Sequence, residues 1–233
     1  MIRVPSGVPG FDELCEGGFP EYSSILLAGG PGTGKSIFCL EYLYNGAKLY
    51  NQPGLYITLE EGAHNLWWNM QRFKWDLMPL ERNNMLKIFK FEPDMSLKDS
   101  FGTQTTRIIE KAKDMGAKRL VIDSSTAFSF WLSDVARIRY ELYVLIEELR
   151  KINTTTILTC ETTGGILESS RFGVEDFLTD GVITLTFKPP HRYIFIKKMR
   201  GTNHSKSIHP FDITSDGFVV KSSDEASWEI VNK

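Results

Sequence analysis

Cysteine is scarce: Cys15, Cys39 and Cys160 are the three in 233 residues, widely separated and without C-x-x-C spacing. That argues against a disulfide framework and a zinc site, and suits a reducing interior. No run of ~18 apolar residues occurs, which excludes a membrane-spanning helix. The amino-terminal MIRVPSGVPG has no long apolar core of the kind a signal peptide needs, so a cytoplasmic location is expected. An excess of one charge is missing too: 27 Lys plus Arg stand against 29 Asp plus Glu, a net charge of −2. With no basic run, any nucleic-acid or membrane partner must be held by a local surface. There is neither an internal repeat nor a break in composition, so one domain is expected over 1–233, with a lead-in at 1–22 and a tail at 222–233.

What the chain does have is SSILLAGGPGTGKS at 23–36. Gly29, four residues, then Gly34, Lys35 and Ser36 fit G-x-x-x-x-G-K-[ST], the P-loop pattern, between an apolar strand pattern and a helical one. A phosphate chain needs donors close to the backbone, and glycines at 29, 30, 32 and 34 remove the Cβ atoms that would block its approach. The unpaired N–H groups and positive dipole end of the following helix add to the attraction. The residues expected to contact ATP or ADP are Gly30, Pro31, Gly32, Thr33, Gly34, Lys35, Ser36 and Ile37. Lys35 reaches the β and γ groups in this pattern, and the Ser36 hydroxyl ligates Mg²⁺.

Around this loop the pattern alternates. The lead-in RVPSGVPGFDELCEGGFPEY predicts a short helix near 10–15 anchored by Phe11 and Leu14. A strand at 24–28, a helix at 35–50 with Ile37, Leu40, Tyr44 and Ala47 on one face, and a strand at 54–59 make a βαβ unit. The helical pattern at 63–75 carries Trp67, Trp68, Phe73 and Trp75, aromatics better suited to core or subunit contact than to stacking on a ligand. Further strands are expected at 85–91, 117–123 and 154–160, and helices at 99–115, capped by Gly116, and at 134–151. TTGGILESS at 162–170 has the composition of a mobile loop. Strands at 181–187, 192–199 and 217–221 give the end of the chain an antiparallel character. Trp228 hints that the tail docks. Together these predict an α/β fold with a mostly parallel central sheet flanked by helices and ligands at the carboxyl ends of its strands, where the loop, Glu60, Asp123 and Glu161 all fall.

Asp123 ends the strand RLVI, the pattern of a Walker B carboxylate in the Mg²⁺ shell; the alternative is an Asp that starts a turn or caps the next helix. Glu60 and Glu61, at the end of the strand after the P-loop helix, are either the groups that polarise water for attack on the γ-phosphate or a solvated acidic corner. Glu60 is taken as the base and Glu61 as its companion.

These motifs lie in an order that resembles a single-domain member of the KaiC-like branch of RecA-type ATPases, over residues 4–221. The likeness is carried by SGVPGFDELCEGGFP at 6–20, the P-loop, TLEE at 58–61, VIDSSTAF at 121–128, SRFGVEDFLTDGV at 170–182 and KMRGTNHSKSIHPFDIT at 198–214. The resemblance implies a RecA-type core and homo-oligomeric rings, typically hexamers, with ATP between neighbouring subunits. It implies further that Lys198 and Arg200 reach the γ-phosphate of the adjacent protomer, with His204 and Lys206 contacting the same nucleotide. A cation fixed there stabilises charge on the transferring phosphoryl and makes turnover depend on assembly. Without the resemblance, Lys198 and Arg200 read as charges that keep an edge strand soluble. One departure concerns phosphorylation: where KaiC has two fused domains and a phosphate-accepting Ser-Thr pair in the second, this chain has one domain with Asp176 and Phe177 aligned, so no autokinase cycle is expected.

Three functions compete. The first is an ATPase built from these residues. The second is a DNA-handling protein, in which the loops after Asp123 and Glu161 line a channel and Phe128, Phe130 and Trp131 stack on bases. That cluster fits packing equally well, and the loop at 162–170 carries Glu168 and no basic residue before Arg171, a poor lining for nucleic acid. The third is a nucleotide-gated scaffold read by a client protein that the sequence does not identify.

Overall fold

A computed structural model describes residues 1–92, 101–130, 134–162 and 175–229. The loop expected at 162–170 lies outside them beyond Thr162, as do the start of the helix expected at 99–115, Trp131, the side chains of Phe128 and Phe130, and the last residues of the tail.

Strand β1 (Arg3–Val4) pairs with β2 (Phe19–Pro20), and a turn of 3₁₀ helix at Asp12–Cys15 lies between them, where the lead-in helix is expected. Next come β3 (Ser24–Gly29), α1 (Lys35–Tyr50), β4 (Gly54–Thr58), α2 (Ala63–Met70), α3 (Met78–Arg82) and β5 (Leu86–Lys90). They are followed by α4 (Phe101–Met115), β6 (Arg119–Asp123), α5 (Val135–Lys151), β7 (Thr155–Glu161) and α6 (Glu175–Leu178). The chain closes with β8 (Gly181–Lys188), β9 (His191–Met199), β10 (His209–Ile213) and β11 (Phe218–Val220). The main sheet has nine strands in the order β11-β10-β9-β8-β3-β7-β6-β4-β5. Neighbours from β8 to β5 run parallel, and those from β8 to β11 run antiparallel. Among the described residues, no helix is long and apolar enough to cross a membrane.

The inner parallel strands β3, β4, β6 and β7 are buried along nearly their whole length because both sheet faces are covered, whereas the edge strand β5 exposes Lys87 and Lys90. Along β3, Ile25 and Leu27 pack into the core under α1, while Leu26 packs into the core under α4 and α5. This alternation puts α1 on one face and α4 with α5 on the other.

The α1 helix is more deeply buried than a one-faced helix. Phe38, Cys39, Leu40, Tyr42 and Leu43 are all fully buried, whereas Ile37 is only half-buried. Its outer side is covered by chain distant in sequence: the Phe38 ring meets Phe11 of the lead-in and Phe218 of β11 edge-on, each at 5.3 Å. Each such aromatic pair is worth about 0.5–1.5 kcal/mol beyond its buried area. The fully buried Arg119 ties the same layers together, donating to Gln52 Oε1 at 2.7 Å and to the Tyr42 carbonyl at 2.8 Å.

Two expectations need correction. The helix expected at 63–75 ends at Met70, because tertiary partners claim the next turn: Lys74 N–H donates to the Ser215 carbonyl, and the Trp75 indole N–H donates to Asp216 O. Phe73 and Trp75 then stack on each other, and Trp75 stacks on Tyr44, which is the core role expected of them; Trp68 is exposed. Strand β10 lies in a stretch for which no element was expected, and its Pro210 lacks a ladder donor. The Pro210 carbonyl still accepts from Lys221 N–H at 2.9 Å, and β10 is zipped between β9 and β11. The tail docks through Ala226, bridged to Ile208, and through Trp228, edge-on to Phe195.

Candidate functional site

The sheet order places the carboxyl ends of β3, β7, β6 and β4 side by side, and the candidate residues leave the sheet there. Between β3 and α1 the chain makes its glycine loop. Gly34, the residue before α1, has φ +101°, a conformation natural to glycine, and no side chain caps the helix. A Cβ on Gly29 would lie 2.6 Å from the Leu185 carbonyl, so that position also requires glycine. Lys35 folds back over the loop, its Nζ donating to Gly29 O at 2.8 Å and Gly30 O at 3.1 Å, and Thr33 Oγ1 donates to Gly30 O at 2.8 Å. An uncapped helix start, exposed glycine backbone and a lysine held by two carbonyl dipoles make a cradle for a polyanion.

Beside it stand the oxygen groups. Ser36 Oγ donates to Asp123 Oδ2 at 3.1 Å. The same carboxylate accepts from Tyr56 Oη on Oδ2 and from Thr159 Oγ1 on Oδ1. A hydroxyl and a carboxylate adjoining a phosphate cradle fit Mg²⁺, a hard ion that takes few protein ligands and completes its shell with phosphate oxygens and water. Among the described residues, no cluster of three or more His, Cys, Asp or Glu offers a protein-only metal cage.

The two glutamates differ in environment. Glu60 accepts from Ser124 Oγ at 2.7 Å. Glu61 lines the cleft in front of α1, its backbone carbonyl taken by Thr58 Oγ1 at 2.7 Å and its side chain by Asn69 Nδ2 at 3.2 Å. Burial, and then the nearby Asp123 charge, push the Glu61 carboxyl above its usual range. The cleft is about 480 Å³, and Gly32, Gly34, Lys35, Ser36 and Ile37 form its loop side. Arg72 and Phe73 beyond α2, Arg192 on β9 and Ile213 on β10, which packs against Gly34, also line it. Arg72 and Arg192 belong to no motif, and Phe73 and Ile213 fall in the aromatic stretch and the 198–214 motif without being marked there as site residues; the turn after α2 and the pairing of β8, β9 and β10 bring the four in. Glu161, at the end of β7, sits level with Gly29 and is exposed.

Lys198 and Arg200 are not part of this cleft. Lys198 pairs with Val182, level with Leu26, whereas the loop leaves β3 at Gly29, level with Leu185. Three residues of strand separate the two levels, about 10 Å at ~3.3 Å per residue, and the cations are toward the amino end of β3. Lys198 Nζ donates to the Asp176 and Thr179 carbonyls, and burial followed by the Arg200 charge lowers its pKa. Arg200 pairs with Asp180 at 3.3 Å and donates to Phe177 O at 3.3 Å; Asp180 also receives Arg150 at 2.9 Å. Among the described residues, strand β10 flanks β9 as far as Ile194, so Lys198 lies on a stretch paired on one side. The His204 ring N–H donates to Ser205 O at 2.8 Å, and Lys206 is exposed.

A family model described as "ATPase: KaiC" matches residues 4–225. The circadian clock oscillator protein KaiC of Prochlorococcus marinus subsp. pastoris is 35% identical over 227 residues, covering 94% of this chain and 45% of that protein. The chain thus spans under half the length of the clock relatives it matches. A UPF0273 protein of Methanocaldococcus jannaschii is 35% identical over 236 residues, covering 94% of this chain and 96% of its own length. The crystal structure of a KaiC-like protein from Pyrococcus horikoshii superposes with a TM-score of 0.83 at 41% identity, covering 94% of this chain and 98% of the other.

Proposed function

The chain belongs to the KaiC ATPase family, and from that premise we propose that it binds Mg·ATP in the cleft ahead of α1 and hydrolyses it to ADP and phosphate, in a ring whose neighbouring copies complete each site. The observation that carries this is the convergence of Lys35, Ser36 and Asp123 at the end of β3 and β6, beside a cleft large enough for a nucleotide. Lys35 exchanges its two carbonyl partners for phosphate oxygens. Ser36 and Asp123 hold the ion, which when bound neutralises charge on those oxygens. Glu61, facing the cleft, orients and deprotonates the attacking water, while Glu60, fastened to Ser124, supports the turn that presents it; this reverses the order expected from the sequence.

Lys198 and Arg200, remote from their own loop, supply positive charge to the next copy's phosphates, with His204 and Lys206 on the same segment. Their separation from the cleft within one chain supports action in trans. A hexameric assembly with a regulatory duty, read by a client protein, accords with the resemblance and with cations that stand apart from their own cleft.

The test is phosphate release by the full chain. Lys35→Ala is expected to lose on the order of 100-fold, and Glu61→Gln on the order of 100-fold or more. Lys35→Ala and Arg200→Ala chains, each inactive alone, should regain part of the activity when mixed. Undiminished release by Lys35→Ala refutes the assignment, and mixtures that stay inactive refute the shared site.

A further inference from the structure

Asp123 is held by more than its motif requires. Its carboxylate receives three side-chain hydroxyls: Ser36 and Tyr56 on Oδ2, Thr159 on Oδ1. Ser36 belongs to the loop and is the expected metal ligand. The other two belong to no nucleotide motif and come from the strands on either side of β6, Tyr56 from β4 and Thr159 from β7. Both are fully buried. The register explains the convergence: β4 Thr58 is level with Asp123 and Tyr56 stands two residues earlier on the same face, while Ile122 is level with Leu158, which puts Thr159 beside Asp123.

An ionised carboxylate has about four lone-pair sites and, as a terminal group, rotates readily about χ2. A donor on each oxygen from opposite sides removes that rotation and fixes the carboxylate beside Ser36. Hydroxyls also satisfy a half-buried carboxylate without adding a positive charge that would compete with a cation.

We propose that Tyr56 and Thr159 are positioning residues that lock the Asp123 carboxylate in one orientation and thereby set the affinity of the site for its divalent cation. This rests on the reading of the cleft as an Mg·nucleotide site. The pair acts through Asp123 and touches neither nucleotide nor reacting water. Ser36 changes partner when the ion arrives; Tyr56 and Thr159 keep theirs.

The test uses the full chain with ADP and Mn²⁺, without turnover. Free Mn²⁺ is read by its electron paramagnetic resonance signal in a titration at saturating ADP, and ADP binding is measured separately in EDTA. Tyr56→Phe and Thr159→Val preserve shape and remove only the hydroxyl; each is expected to weaken Mn²⁺ binding about 10-fold, and the pair up to about 100-fold, the span seen when a group orienting a metal ligand is removed. Metal-free ADP binding should stay at the wild-type level, which a general loss of packing would not allow. Thr159→Ser, which restores the hydroxyl, should bind Mn²⁺ nearly as wild type, and raising Mg²⁺ should recover the turnover of Tyr56→Phe. Folded Tyr56→Phe and Thr159→Val proteins that bind Mn²⁺ within twofold of wild type overturn the positioning role while leaving the nucleotide site intact. A wild-type chain that binds no ADP overturns the nucleotide site itself, and the positioning role with it.

Discussion

Glu41 stands in the middle of α1 on a side from which water is excluded, 2% exposed, with its Oε2 accepting from Phe218 N–H at 2.6 Å. Burial pushes its carboxyl from an ordinary 4.5 to about 8, with the Phe218 hydrogen bond opposing the shift. Folded protein therefore keeps this proton up to about pH 8, whereas unfolded chain loses it above about pH 4.5. Between those limits the folded state binds more protons, so stability falls as pH rises through the window and levels off above it. A gap of this size corresponds to roughly 5 kcal/mol at most, and about 3 kcal/mol is a conservative expectation once β11 relaxes around the charge. Glu41→Gln keeps the acceptor for Phe218 N–H and removes the titration. Urea unfolding of both proteins from about pH 5 to about pH 9 should give curves that diverge steadily, with the variant gaining about 3–5 kcal/mol relative to wild type across the range. Taking the difference between the two proteins cancels every other titrating group. Parallel curves would refute the claim that Glu41 is buried as a neutral acid.

Two further substitutions probe the same layers. Phe38→Ala removes the ring shared by Phe11 and Phe218 and should cost about 3–5 kcal/mol in chemical denaturation, as for other fully buried aromatics. A Cβ on Gly46 would fall 2.3 Å from Arg119 Cδ, so Gly46→Ala, normally favourable in a helix, should instead destabilise by about 1–3 kcal/mol; a raised melting temperature would contradict the packing.

Much of the site was legible because its signals are local. The glycine spacing, Lys35 and Ser36 lie on one short stretch whose backbone conformation dictates its residues, and Asp123 announces itself as a carboxylate closing an apolar strand. The parallel sheet followed from alternation of strand and helix, and the boundaries of α1 were correct because its start is set by the loop and its length by helical periodicity. Where local pattern and tertiary demand disagree, the pattern misleads. Helical spacing continues to residue 75, yet the turn after Met70 is held by Ser215 and Asp216 from the far end of the chain. Pro210 argues against a strand that two neighbours nonetheless enforce.

The amino-acid sequence by itself determined the kind of fold, the glycine loop with Lys35 and Ser36, and the carboxylate that closes β6, because each depends on residues a few positions apart. Only the tertiary structure decided which glutamate faces the cleft, that Lys198 and Arg200 stand away from their own loop, and that Tyr56 and Thr159 close on Asp123 from strands 67 and 36 residues distant. Those outcomes depend on sheet order and register, which are settled by how whole strands pack and not by any stretch read alone.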